Sequence, residues 1–91
     1  MTSRVHVMIT GTVQGVWFRA STKEQALKLG LTGWVKNTAD GCVEAVFEGD
    51  EPRVKRMVDW CHSGPPLAHV THVDVKPESG SKPLFDTFSI H

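Results

Sequence analysis

Val5, Val7 and Ile9 alternate with His6, Met8 and Thr10, the period-two pattern of a strand with one buried face, and this strand ends near Val13. A loop from Gln14 to Phe18 follows. From Arg19 to Leu29 the chain is rich in helix formers, with Phe18, Thr22, Ala26 and Leu29 on one helical face, and Gly30 ends the helix. Gly33 to Thr38, the pair Asp40-Gly41, and Cys42 to Glu48 predict strand, tight turn, strand, because Asp-Gly supplies the positive φ angles of a hairpin turn. Asp50 ahead of Glu51-Pro52 starts a second helix in which Val54, Met57, Val58 and Cys61 share a face, and Gly64-Pro65-Pro66 stops it. Val70 to Val75 and Phe85 to Ile90 predict two more strands of less regular phase. The polar run from Pro77 to Pro83 between them predicts a mobile hairpin loop.

The order is βαββαβ with an added final strand. It predicts an α+β, ferredoxin-like sandwich: an antiparallel sheet with an extra C-terminal strand and two helices on one face. Right-handed crossovers make the first and second strands parallel, with the third between them. The loop after Val13 and the side chain of Asn37 therefore meet at one edge of the sheet. A chain of 91 residues has room for one core, so residues 1–91 are expected to form one domain.

Composition narrows the function. Lys plus Arg number 10 and Asp plus Glu number 10, so no broad field attracts nucleic acid or an anionic membrane, and any anion site must be local. The apolar stretches are strand-sized, far short of a membrane span, and Met-Thr-Ser-Arg leads straight into a strand, as expected of a cytoplasmic protein. Cys42 and Cys61 are too few and too far apart for a disulfide scaffold or a CxxC site, and read as free thiols. Cys42 belongs to the outward face of its strand and Cys61 to the inward face of the second helix.

The segment Gly11-Thr12-Val13-Gln14-Gly15-Val16-Trp17-Phe18-Arg19 joins a strand end to a helix start, with glycine where the backbone curls and arginine at the helix entrance. Inward N–H groups of such a curl, the positive end of the helix and an arginine fork together suit a phosphate. Glycine and arginine alone fit equally an ordinary strand-to-helix turn with a surface arginine.

The full strings decide more. Residues 11–19 match GxVQGVxFR, and Gly33-Trp34-Val35-Lys36-Asn37 with Asp40-Gly41-Cys42-Val43-Glu44 match GWVxNxxDGxVE, so the chain resembles the acylphosphatase family. The resemblance runs along the whole chain, through Gly64-Pro65-Pro66 to Phe88-Ser89-Ile90. It implies hydrolysis of small acyl phosphates to a carboxylate and inorganic phosphate, the latter both product and inhibitor. It further implies that backbone amides of Gln14, Gly15, Val16, Trp17, Phe18 and Arg19 cradle the phosphate. Arg19 would bind the phosphate and Asn37 would orient the attacking water. No metal or cofactor is implied, and the expected state is a monomer.

Other motifs are weaker. A thiol phosphatase would have cysteine where this chain has Val13, and a Walker loop would need Gly-Lys-Ser or Gly-Lys-Thr. His69 and His72, three apart on a strand, are expected on opposite faces and so unable to share a metal. His6 is expected on the outer sheet face in a structural role, and Trp17 is expected to pack. An RNA-binding module of this topology would stack bases on that outer face, which here offers His6, Met8, Cys42 and Glu44, with neither aromatics nor positive charge. The nearer alternative is an acylphosphatase-like domain handling carbamoyl phosphate inside a larger maturation enzyme. A free-standing enzyme is preferred, because no zinc-finger or transferase sequence follows the last strand.

Overall fold

The structure, a computed structural model, describes residues 2–78 and 84–91. Its elements are β1 (Thr2–Thr12), α1 (Phe18–Lys28), β2 (Thr32–Asn37), β3 (Val43–Asp50), α2 (Glu51–Cys61), β4 (His69–Pro77) and β5 (Phe88–Ile90). The sheet order is β4-β1-β3-β2-β5. The alternation in β1 and β3 buries Val5, Val7, Ile9, Val43, Ala45 and Phe47 against both helices, where Phe18 and Ala26 of α1 meet Val54, Met57 and Cys61 of α2. β3 pairs antiparallel with both β1 and β2, so those two strands run parallel and end together, one at the loop before α1 and the other at Asn37.

Three features depart from the sequence reading. The turn between β2 and β3 is closed by Thr38 and Cys42, the Thr38 N–H donating to the Cys42 carbonyl at 2.9 Å. Among the described residues of this turn only Gly41 is left-handed (φ 92°), so Asp40 does not share the positive φ expected of the Asp-Gly pair. Thr38 does that work instead, its hydroxyl accepting the Cys42 N–H at 3.0 Å and meeting the Asp40 carboxylate. That hydroxyl holds the Asp40 carboxyl below the ordinary range.

In β4 the register against β1 slips at Thr10/Gly11, with Thr10 opposite His72 but Gly11 opposite Val70. Thr71 is the extra residue of this bulge and its hydroxyl donates to the Thr10 carbonyl at 3.2 Å. Gly11 permits it. Its φ is 131°, and a Cβ there would lie 2.1 Å from the His69 carbonyl oxygen. The slip places Val70, Val73 and Val75 against the core and leaves both His69 and His72 exposed on the outer side, correcting the expectation of opposite faces.

The third departure is the last strand. β5 lies beside β2 in parallel, at the edge opposite β4, so the sheet is mixed and β4 and β5 do not form a hairpin. Residues 85–87 precede β5 and are not part of it. Of the predicted loop, residues 79–83 lie outside the described residues. Residues 84 and 85 are tied to β3: the N–H groups of Leu84 and Phe85 donate to the Glu48 carboxylate at 3.0–3.2 Å. Arg4 completes the site with a 2.9 Å ion pair to the same carboxylate, which is 2% exposed.

Burial alone would push the Glu48 carboxyl up. Arg4 and the two N–H donors outweigh it and hold the carboxyl below its ordinary value of 4.5. Its stabilising contribution is therefore present above 4.5 and lost as pH falls through the lowered folded value. Glu48→Gln should cost about 2 kcal/mol in urea unfolding at neutral pH, since it leaves Arg4 without that counter-charge. The difference from the parent should shrink on acidification, and an unchanged midpoint at neutral pH would show the anchor to be idle.

Candidate active site

The loop between β1 and α1 is held from both ends. Val13 is buried at its start and Phe18 at its end, the latter edge-on to Trp60 with ring centroids 5.6 Å apart. From the middle, the Gln14 side-chain amide donates to the carbonyls of Thr38 and Cys42, both at 2.8 Å. That brace couples the loop to the hairpin bearing Asn37, so the two cannot shift independently.

Between these anchors the backbone curls. Gly15 is left-handed (φ 75°), with no atom within 4 Å of where a Cβ would sit. Trp17 is also left-handed (φ 67°, ψ 20°), alone in this among the described non-glycine residues, at a cost of about 1–2 kcal/mol. Left-handed residues on either side of Val16 give the loop a curled backbone of the kind in which successive N–H groups can share one concavity. The first intrahelical bond of α1 runs from Ser21 N–H to the Trp17 carbonyl at 3.0 Å, leaving the preceding N–H groups of the helix without intrahelical acceptors. The first turn contains no acidic residue, so the positive end of α1 is not neutralised locally.

Arg19 stands exposed on that first turn. Among the described residues its guanidinium makes one hydrogen bond, Nη1 to the backbone oxygen of His91, the last residue, at 3.2 Å, and no Asp or Glu side chain pairs with it. Most of its fork remains available to an anion. Asn37 ends β2 on the same face as buried Val35 and is half-buried. Among the described residues its carboxamide has no hydrogen-bond partner, whereas Thr38 and Asp40 form the turn beside it. Asn37 is thus not the cap of that turn.

Arg19 and Asn37 line one cleft of about 410 Å³ together with Val13, Gly15, Trp17, Phe18, Ala20 and Ile90. Of the six residues expected in the phosphate cradle, Gly15, Trp17, Phe18 and Arg19 line the cleft. Gln14 braces the loop through its side chain, and Val16 packs against the core. Trp17 does not pack: it is 75% exposed, which corrects the expectation made for it. The sequence reading also missed the brace from Gln14 and the contribution of Ile90. Gln14 could have been found as a long amide in a loop otherwise short of side-chain donors, whereas nothing local announces Ile90.

His6 Nε2 lies 2.6 Å from the Glu44 carboxylate, which Lys36 also approaches at 3.6 Å, and the His6 hydrogen bond is the main cause that holds the Glu44 carboxyl below the ordinary range. Burial pushes the Cys61 thiol up to about 12, which makes it a poor nucleophile. Among the described residues, no group of three or more His, Cys, Asp or Glu could hold a metal ion, and no helix is long and apolar enough to cross a membrane.

The family described as Acylphosphatase matches residues 5–90. A Syntrophus aciditrophicus protein named Acylphosphatase is 50% identical over 90 residues, covering 99% of this chain and 93% of that one. The crystal structure of acylphosphatase from Bacillus subtilis superposes with a TM-score of 0.92 at 37% identity, covering 100% of this chain and 99% of that one. HypF of T. kodakarensis contains a similar region, with a TM-score of 0.83 at 28% identity, covering 98% of this chain but 12% of HypF.

Proposed function

The chain belongs to the acylphosphatase family, so its reaction is hydrolysis of the carboxyl-phosphate bond, and we propose that Arg19 anchors the phosphoryl group while Asn37 orients the attacking water. The observation that supports this division is the cleft itself. It joins a guanidinium that keeps most of its donors, and a carboxamide without a partner among the described residues, to a curled backbone at the partially positive end of α1.

The chemistry asks for little else. The leaving carboxylate belongs to an acid of pKa about 4, so it departs without a proton donor. The work left to the protein is to fix phosphorus and water in line and to stabilise charge on the equatorial oxygens. The loop N–H groups from Gln14 to Arg19 and the Arg19 fork supply the second, and the Asn37 carboxamide the first. The brace from Gln14 keeps the two halves in register. None of these steps calls for a metal or cofactor. Inorganic phosphate, retaining the oxygens that the cradle binds, acts as both product and inhibitor.

We further take the protein to be one domain spanning residues 1–91, built on a single core shared by both helices, and to act as a monomer. Its two free cysteines suit the reducing cytoplasm. The reading as a carbamoyl-phosphate-handling domain of a larger enzyme is weaker, since the higher identities and near end-to-end matches are to proteins named as acylphosphatases.

Acetyl phosphate hydrolysis in ¹⁸O-water with EDTA tests the reaction. Turnover should persist, with the label in inorganic phosphate and none in acetate. Label in acetate would mean attack at the carbonyl carbon, and activity lost to EDTA but restored by a divalent ion would contradict the metal-free path.

A further inference from the structure

Trp17 is unfavourable for folding in two ways at once. Its backbone is left-handed, where glycine or asparagine would be at ease, and its indole is 75% exposed. A side chain that helps neither the local backbone nor the core, on the wall of a cleft, marks a place where function overrides stability. Ile90, 41% exposed, lines the same cleft. The cleft therefore offers polar groups, from Arg19, Asn37 and the loop backbone, together with apolar side chains, of which Trp17 and Ile90 are the exposed large ones.

The substrate is divided in the same way. An acyl phosphate carries charge on its phosphoryl end, and its acyl group lies on the other side of the bridging oxygen. In-line attack places the water opposite that bridging oxygen, so the acyl group lies on the side of the phosphoryl group away from the attacking water, where an apolar side chain lining the cleft can meet it. An indole there offers a flat apolar face, and an aromatic acyl group meets it better than a methyl group.

We infer that Trp17, with Ile90, forms an acyl subsite that makes the protein prefer aromatic or bulky apolar acyl phosphates to acetyl phosphate. This rests on the proposed function, since the subsite has meaning only if the phosphoryl group sits in the cradle. Trp17 acts here through its side chain, separately from any role of its backbone N–H.

The test is the ratio of kcat/KM for benzoyl phosphate to kcat/KM for acetyl phosphate, each pair measured on one preparation. The fraction of folded protein and any shared loss from a shifted loop then cancel. Trp17→Gly, which the left-handed backbone accommodates, should lower this ratio roughly tenfold, and Trp17→Phe should keep it within about threefold of the parent. An unchanged ratio in Trp17→Gly overturns the subsite, whatever happens to the absolute rates. If the parent hydrolyses neither compound, the proposed function itself has failed, and the subsite with it.

Discussion

Arg19→Ala should lose about a thousandfold in kcat/KM toward acetyl phosphate, together with inhibition by inorganic phosphate. Among the described residues the guanidinium is the one side-chain cation on the cleft wall, and its single hydrogen bond there leaves donors for two phosphate oxygens at once. Those contacts exist in the ground state and strengthen as charge builds on the equatorial oxygens, so KM and kcat should both suffer. Arg19→Lys should recover only part of the loss, because an ammonium gives charge without the fork. The fold should stand, since the side chain is exposed and outside the core. Steady-state kinetics with phosphate as competitor, beside a melting curve, checks all of this. Phosphate inhibition at the parental level in Arg19→Ala would remove the arginine as anchor.

Asn37→Ala should lower kcat about a hundredfold to a thousandfold while phosphate inhibition stays near that of the parent. The cause is loss of a positioned water rather than loss of substrate. A carboxamide can accept one proton of the water and donate elsewhere, fixing its lone pair toward phosphorus, and a methyl group can do neither. If Asn37 only shaped the hairpin, its removal would lower the melting temperature and leave turnover per folded molecule intact. Thr38, Asp40 and Cys42 already close that turn among themselves, so the melting temperature should barely move.

The parts of this structure that were legible in the sequence are those specified by local pattern. Alternation fixed β1 and β3 because one face of each is packed against helices, and a residue out of phase would bury a polar group. The right-handed crossover then implied that the loop before α1 and Asn37 share an edge, and the cleft brings them together. What was hidden depends on partners distant in sequence. The bulge in β4 is written in its pairing with Gly11, so the apolar residues Val70, Val73 and Val75 looked only irregular. β5 contributes three paired positions, Phe88, Ser89 and Ile90, too few to show from pattern that they run parallel to β2. The same holds for Glu48, which reads as an outward strand carboxylate until Arg4, Leu84 and Phe85 arrive from elsewhere. Trp17 failed for another reason: an apolar side chain is expected to seek the core, and this one is held out in the cleft on a left-handed backbone.

The division of labour between anchor and water is tested most directly by titrating inorganic phosphate into the parent, Arg19→Ala and Asn37→Ala by calorimetry. The expected result is binding in the parent and in Asn37→Ala with dissociation constants within about threefold of each other, and binding too weak to measure in Arg19→Ala. Comparable binding in Arg19→Ala, or its loss in Asn37→Ala with the fold intact, would contradict the assignment of the two residues.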